Sequence, residues 1–150
     1  MRRFLILVSV ISSVFMLSSC GVSNPSLYNW GGSWRNNLRY DLLAYKDYKS
    51  QTPEAICDLI CVYEEMVSSP SGVRQVPPPG ICAEYGYLLL LPDTASIFEE
   101  KASAEQKRCF DGTEYAVMFT AKGKQLLQKE MELYPESRKF IEPLMRKLDR

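Results

Sequence analysis

The longest helical pattern in the chain is DGTEYAVMFTAKGKQLLQKEMELY, residues 111–134. Asp111 and Glu114 have the spacing of a capping box, which predicts that a helix begins at about Thr113. Apolar side chains then recur every three or four residues, the period that gives a helix one apolar face. They are Tyr115, Met118, Phe119, Leu126, Leu127, Met131 and Tyr134. The pattern predicts a long amphipathic helix whose apolar face is covered by the rest of the domain.

Further helices are predicted on both sides of this segment. Upstream, Thr52 is a suitable N-cap and Pro53 suits the first helical position, so a helix is expected from Pro53 to the breaker sequence SSPSG at residues 68–72. Downstream, the spacing of Phe140, Ile141, Leu144, Met145 and Leu148 predicts a terminal helix. Pro143 should kink or shorten it.

Residues 76–91 are the ambiguous part of the chain. The prolines of VPPPG, residues 76–80, require an extended backbone, because a proline disfavours the α region for the residue before it. Residues 81–91 are apolar enough for either a buried strand or a buried helix. We predict a helix, since Ala83 and Gly86 lie three residues apart and would let another helix pack close. A short helix is also expected over residues 94–104.

Towards the N-terminus, a four-residue spacing predicts one more helical stripe, made of Trp34, Leu38, Leu42 and Tyr45. Few residues alternate with a period of two, so no substantial sheet is expected. The prediction is therefore an all-α fold, a small bundle of helical hairpins forming a single domain over residues 28–150. The hairpins are expected to be tetratricopeptide-like, because one part resembles the second helix of such a repeat with its closing proline: Ala121, Leu126 and Tyr134-Pro135.

The first residues have the three parts of a secretory signal: a positive start at residues 1–3, an apolar run at 4–11 and small residues before a cleavage point. The run is shorter than the roughly 20 apolar residues that span a bilayer, so residues 1–19 are predicted to be a removed signal peptide. An uncleaved anchor helix and a soluble secreted protein are the alternatives.

The cleavage point itself, Leu17-Ser18-Ser19-Cys20-Gly21, resembles the lipobox of bacterial lipoproteins. The resemblance implies that Cys20 is acylated and becomes the first residue of the mature protein. Gly21 stands where an aspartate retains lipoproteins at the inner membrane, so the resemblance implies the outer membrane. A periplasmic orientation is expected, with residues 20–27 as a Ser-, Asn- and Pro-containing tether.

Composition excludes several classes of function. The chain has 18 basic and 18 acidic residues, so nothing predicts binding to nucleic acid. It has no histidine, which removes Ser–His and Cys–His nucleophile activation as well as the commonest metal ligand. No catalytic residue, cofactor or metal ion is predicted.

Four cysteines remain after Cys20: Cys57, Cys61, Cys82 and Cys109. Disulfides persist outside the cytoplasm, and Cys57 and Cys61 lie four apart on one helix face. One of these two is expected to bond Cys82 if a bridge forms. The alternatives are small buried apolar residues or, with no short-spaced ligand motif to support it, a zinc site.

Three ordered blocks of sequence resemble one family. They are Tyr28-Asn29-Trp30-Gly31 with Leu38 and Lys46, then VPPPGICAEYGYL at residues 76–88, and EMELYPES at residues 130–137 with Phe140. They resemble domain-of-unknown-function family 4810, small bacterial lipoproteins without an established activity. Family genes often lie beside those for a curli-secretion-type lipoprotein, which implies an outer-membrane assembly with such a pore protein as a partner. The chain departs from the family in having Cys82 where a histidine is common, and in an extra charged segment before Thr113.

The functional expectation is a non-enzymatic protein-interaction or assembly module held at the membrane through lipid on Cys20. Large aromatic side chains dominate interfaces, so the candidate partner contacts are Tyr28, Trp30, Tyr40, Tyr48, Tyr85 and Tyr87. The same rings could instead form the domain's own core. The alternative function is a periplasmic ligand-binding protein or enzyme that uses the carboxylate pairs Glu64-Glu65 or Glu99-Glu100. A redox module built on Cys57 and Cys61 lacks the usual two-residue separation.

Overall fold

The structure is a computed structural model that describes residues 25–34, 37–50 and 52–148. The predicted signal peptide, residues 1–19, and the lipidation site Cys20 lie outside the described residues. Within them the chain is all-α, as predicted, with the helices α1 Arg39–Ser50, α2 Pro53–Ser68, α3 Ile81–Leu89, α4 Thr94–Lys101, α5 Ala104–Lys107, α6 Tyr115–Leu133 and α7 Arg138–Leu148. A single 3₁₀ turn, Pro135–Ser137, joins α6 to α7. No helix in this part of the chain is both long enough and apolar enough to span a bilayer.

Helices α2 and α3 form where the sequence predicts them. The Thr52 hydroxyl accepts a hydrogen bond from the backbone N–H of Ala55, and Pro53 is the first helical residue. Gly80 precedes α3 with a φ of +88°, a left-handed conformation that favours glycine. Pro77 and Pro78 are buried in the extended segment that leads to it. The choice of a helix over a strand for the apolar run after Gly80 is confirmed.

The centre of the domain is a close crossing of α3 and α6. A Cβ atom on Gly86 would lie 2.8 Å from the carbonyl oxygen of Gly123, and one on Gly123 would lie 2.9 Å from that of Gly86. Separations below 3.0 Å are almost never seen for real Cβ atoms, so the two backbones touch only because both residues are glycine. The predicted role of Gly86 in close packing is confirmed, and its partner on α6 is Gly123, which the apolar pattern of that helix does not indicate.

The core lies around this crossing and between α2, α4 and α6. Phe98 of α4 is fully buried, with its ring edge-to-face against Phe110, Tyr115 and Phe119 at centroid separations of 5.2 to 5.4 Å. Such aromatic pairs add about 0.5–1.5 kcal/mol each beyond the area they bury. Most of the apolar stripe predicted for α6 is buried in this core, as expected: Tyr115, Phe119, Leu126 and Leu127.

The predicted start of α6 is wrong. The helix begins at Tyr115, and Glu114 precedes it without any side-chain cap hydrogen bond, so Asp111 and Glu114 do not form a capping box. The capping box lies instead at α5, where Ser103 and Gln106 exchange side-chain-to-backbone hydrogen bonds. The two motifs have the same spacing, but only Ser103–Gln106 begins with the serine or threonine of the capping-box pattern.

The predicted N-terminal helix is wrong in its first half. Ser33–Trp34 (β1) and Asn37–Leu38 (β2) pair as two short antiparallel strands, and α1 starts only after them. Tyr45, the last member of the predicted stripe, is 67% exposed. The four-residue spacing from Trp34 to Tyr45 therefore does not correspond to a single apolar helix face.

Two residues assigned to the predicted tether, Ser26 and Leu27, are attached to the folded domain. The backbone carbonyls of Ser26 and Leu27 accept hydrogen bonds from the N–H groups of Val73 and Arg74, at 3.0 Å each. These contacts fasten the segment to the turn that follows α2. The folded domain therefore begins before Tyr28.

Helix α7 contains Pro143 in its interior and continues to Leu148. Pro143 has no N–H to donate to the carbonyl oxygen of Lys139. Both residues are exposed, so water can donate a hydrogen bond to that oxygen instead. Only Ile141 of this helix is buried, and Phe140 is 72% exposed. The helix therefore forms as predicted but is docked on the domain by little apolar contact.

Candidate functional site

Four aromatic rings form a continuous row from the N-terminal segment into the core. Trp30 lies 5.6 Å from Tyr40 of α1, which lies 5.9 Å from Tyr63 of α2, which lies 5.4 Å from Tyr85 of α3, measured between ring centroids. This aromatic row joins three helices through side chains that are amphipathic. The chemistry of the row depends on the surroundings of its three tyrosine hydroxyl groups.

Two glutamates accept hydrogen bonds from these hydroxyls. Glu84 accepts from Tyr40 at 2.6 Å and from Tyr63 at 2.9 Å, and Glu64 accepts from Tyr85 at 2.7 Å. Burial raises the pKa of all three tyrosines above the ordinary value, and the nearby carboxylates raise it further. The hydroxyls therefore stay protonated at physiological pH and act as hydrogen-bond donors, which is a structural role.

The negative charge of Glu64 is balanced from α6. Lys122 lies 2.5 Å from the Glu64 carboxylate, whose side chain is largely removed from solvent. The same ammonium group lies over the ring of Phe110, 5.3 Å from its centroid. A buried charge needs such a partner, since an unpaired one would cost several kcal/mol.

A second buried carboxylate, Glu130 of α6, is compensated differently. It is 2% exposed, and its Oε1 accepts a hydrogen bond of 2.7 Å from the backbone N–H of Gly80 at the start of α3. The first N–H groups of a helix have no intrahelical acceptor and carry partial positive charge, so a carboxylate there is stabilised. Burial nevertheless raises the pKa of Glu130, against the opposing effect of the N–H groups of Gly80, Ala83 and Cys82.

The sequence contains an indication that Glu130 is buried. It is a charged residue inside the apolar stripe of α6, three residues after Leu127 and four before Tyr134. A carboxylate in such a position implies a buried donor. Lys122 gave no comparable signal, because its partner Glu64 lies far away in sequence.

One of the aromatic residues predicted as partner contacts, Tyr85, is wrong, and a second, Tyr40, lies partly inside the domain. Tyr85 is fully buried at the end of the aromatic row, and Tyr40, expected at the surface, is half-buried within it. Both hydroxyls are already used by Glu64 and Glu84. These tyrosines serve the domain's own packing.

The other candidates have different outcomes. Tyr87 is 53% exposed on α3, while Trp30 and Tyr28 are half-buried. The side chain of Tyr48 lies outside the described residues. Tyr87 is therefore the predicted contact that the structure leaves most available to a partner.

An apolar groove borders the C-terminal end of α3. Its volume is about 340 Å³, and it lies between α2, the α3–α4 turn and α4. It is lined by Ile56, Leu88, Leu91, Pro92, Asp93, Thr94 and Ile97. Leu91 and Pro92 are exposed at its rim, so this apolar groove is open to a partner.

The two carboxylate pairs that the alternative function would use lie on different helices, α2 and α4. Glu64 is bound to Lys122 and Tyr85, and Glu65 forms an exposed ion pair of 3.3 Å with Arg39. Glu99 and Glu100 are both exposed on α4. Neither pair converges on one reacting centre. In the described part of the chain, no group of three or more Cys, Asp or Glu side chains is arranged to hold a metal ion.

All four described cysteines are free thiols. Cys57 and Cys82 are buried, which raises the pKa of each to about 11. The expected pairing of Cys57 or Cys61 with Cys82 is not present. The sulfur of Cys61 instead lies 3.8 Å from that of Cys109, a contact the spacing of the cysteines did not suggest.

No protein-family model matches the chain, and the searches of curated proteins and of solved structures likewise return no match. The resemblance to family 4810, the tetratricopeptide-like detail and the implied partners therefore stay predictions.

Proposed function

We propose that this protein is a lipid-anchored envelope protein, acylated at Cys20 and held at the outer membrane facing the periplasm. Its helical domain acts as a non-enzymatic interaction module for a protein partner. The observation that carries the proposal is the apolar groove, which is open beside the exposed Leu91. An apolar groove between helices suits a hydrophobic segment of a partner protein.

The chemistry of the domain supports binding over catalysis. Its buried ionisable groups are arranged to stabilise the fold: the tyrosine hydroxyls donate to Glu64 and Glu84, and Glu130 accepts from the start of α3. General acid–base catalysis needs a group with a pKa near the working pH and within reach of a substrate. The tyrosines and cysteines whose pKa values are shifted here move away from neutral pH.

The proposed anchor explains how a chain of zero net charge can stay at a membrane. Two or more acyl chains anchor a protein stably, whereas one chain holds it only marginally. The partner that the family resemblance suggests is a curli-secretion-type pore lipoprotein. Anchoring in the same membrane would raise the effective concentration of both proteins.

The anchor is tested by growing cells with an alkyne-labelled palmitate analogue. The wild-type chain should carry the label in the outer-membrane fraction, and Cys20→Ser should lose it. Cys109→Ser is the matched control and should keep it. An unlabelled wild-type chain, or label that survives Cys20→Ser, would contradict lipidation at this position.

The groove is tested by a photo-crosslinking amino acid placed at position 91, with a second version at the exposed position 99 as the control. We expect one defined partner, identified by mass spectrometry, to be captured from position 91 and not from 99. Leu88→Ser, inside the groove, should reduce the yield of the adduct formed from position 91. Equal capture at positions 91 and 99 would argue against a specific surface.

A further inference from the structure

We propose that Cys61 and Cys109 form an intramolecular disulfide in the exported protein, tying α2 to the turn between α5 and α6. The inference rests on the proposed export, since such bonds persist outside the cytoplasm. It names one pair among the cysteines and leaves Cys57 and Cys82 as thiols. It also replaces the pairing with Cys82 that the sequence suggested.

The geometry of the two sulfurs supports this pair. They lie 3.8 Å apart, so an approach of about 1.8 Å reaches the length of a covalent disulfide. Cys61 is held in α2, whereas Cys109 lies in the turn after α5 and outside any helix. Cys109 is therefore not held by the hydrogen-bond ladder of a helix.

The remaining two thiols, Cys57 and Cys82, are buried. The Cys57 thiol faces the carbonyl oxygen of Ile97 at 4.0 Å, and Cys82 is fully buried near Glu130. Neither is exposed to an oxidant. Cys61 and Cys109 both line an open depression of about 580 Å³, which gives a disulfide donor access to them.

The chemistry is thiol–disulfide exchange with an external disulfide, such as that of a periplasmic oxidoreductase. The Cys109 thiolate attacks one sulfur of the donor, forming a mixed disulfide and displacing the first donor thiolate. Cys61 then loses its proton and attacks the Cys109 sulfur, which releases the second donor thiolate. Two protein thiols lose two electrons and two protons, and the donor disulfide becomes two thiols.

The environment of Cys61 sets the order of these steps. Burial, followed by the charge of Cys109, raises the pKa of Cys61 to about 12, so this thiol is a poor first nucleophile. Cys109 is exposed and is therefore the residue that meets the donor.

The bond would bear on the proposed interaction surface. It closes the chain between positions 61 and 109, a loop that contains α3, α4 and α5. Two of these helices border the apolar groove. The disulfide would therefore restrict motion of the groove walls relative to α2.

The test is disulfide mapping of the full-length protein, isolated from cell envelopes after its free thiols are blocked by alkylation. Trypsin and a protease that cleaves before Asp58 separate Cys57 from Cys61. We expect the Cys61 peptide linked to the Cys109 peptide, with Cys57 and Cys82 alkylated. A link to Cys82, or four alkylated thiols in the envelope fraction, would overturn the proposal.

Two variants and one purified sample complete the test. Cys57→Ser should keep the link, and Cys109→Ser should leave Cys61 alkylated without a new link to Cys82. The purified, reduced chain treated with oxidised glutathione should form the same bond, because the pairing is a property of the fold. If the protein fails to reach the envelope but this sample forms the bond, export is refuted and the pairing stands. If the envelope protein carries its lipid but neither sample forms the bond, only the disulfide is refuted.

Discussion

Helices α3 and α7 both dock on α6, and they do so in opposite ways. Helix α3 crosses α6 with backbone contact at Gly86 and Gly123, and its first N–H groups meet the buried Glu130. Helix α7 follows a 3₁₀ turn and buries only Ile141. The α7 sequence has the cleaner amphipathic pattern, so the comparison teaches that periodicity alone does not measure how deeply a helix is buried.

The largest loss of stability is expected from a substitution that forces α3 and α6 apart at their crossing. Gly123→Ala would place a Cβ 2.7 Å from Leu90 Cγ and 2.9 Å from the Gly86 carbonyl, so we expect a loss of about 3 kcal/mol in the free energy of unfolding. Chemical denaturation measures the loss. Ala121→Gly, exposed on the same helix, measures the helix-propensity effect, about 1 kcal/mol. Stabilisation by Gly123→Ala would show that the crossing is loose.

Removing the carboxylate that meets α3 should have the next largest effect. Glu130→Ala leaves the N–H of Gly80 without its acceptor inside the protein, which should cost about 2 kcal/mol in the free energy of unfolding. Glu132→Ala is the control, because Glu132 is exposed and its change should stay within about 0.5 kcal/mol. If both substitutions reduced the free energy of unfolding equally, Glu130 would have no special role in the docking of α3.

The apolar contact of α7 should be weaker than either feature of α3. Ile141→Ala is expected to cost at most about 2 kcal/mol, because α7 can separate locally while the crossing remains folded. Hydrogen exchange should accelerate in α7 and stay unchanged in α6. Phe140→Ser, on the exposed side, should change stability by less than about 0.5 kcal/mol. Faster exchange throughout α6 would mean that α7 belongs to the core.

The smallest expected effect is a pH dependence specific to Glu130. Its pKa is higher in the folded chain than in the unfolded chain, so the folded state binds this proton more tightly. The contribution to stability is fully present below the unfolded pKa and declines as pH rises through the folded pKa. Glu130→Gln removes this decline while keeping an acceptor for Gly80.

The measurement is the difference in unfolding free energy between the wild type and Glu130→Gln at several pH values. The wild type should lose stability relative to the variant as pH rises from about 4. A relative gain with rising pH would mean that the N–H groups of α3 outweigh burial and lower the pKa.

Local patterns predicted most of the helices, because their signals are contained within a few residues. Thr52 and Pro53 start α2, and Gly80 separates the extended prolines from α3. The periodicity of α6 identified its buried face, including Tyr115 and Leu127. Boundaries were less predictable, since the Asp111–Glu114 and Ser103–Gln106 motifs have the same spacing and only one of them caps a helix.

The site residues depended on contacts between distant segments. Tyr85 and Tyr87 flank the same glycine, yet one is buried against Glu64 and the other is exposed, because the helix rotation is set by packing of Gly86 on α6. Cys61 and Cys109 are separated by three helices, so nothing in their spacing identified them as neighbours.

The sequence by itself determined the all-α class, the positions of the main helices and the need for a close approach at Gly86. These follow from backbone preferences and apolar periods that act over a few residues. The tertiary structure alone decided which carboxylates are buried, which aromatic rings face solvent and which two thiols meet. Those properties depend on the crossing of α3 and α6, where burial and pairing are settled by side chains far apart in the chain.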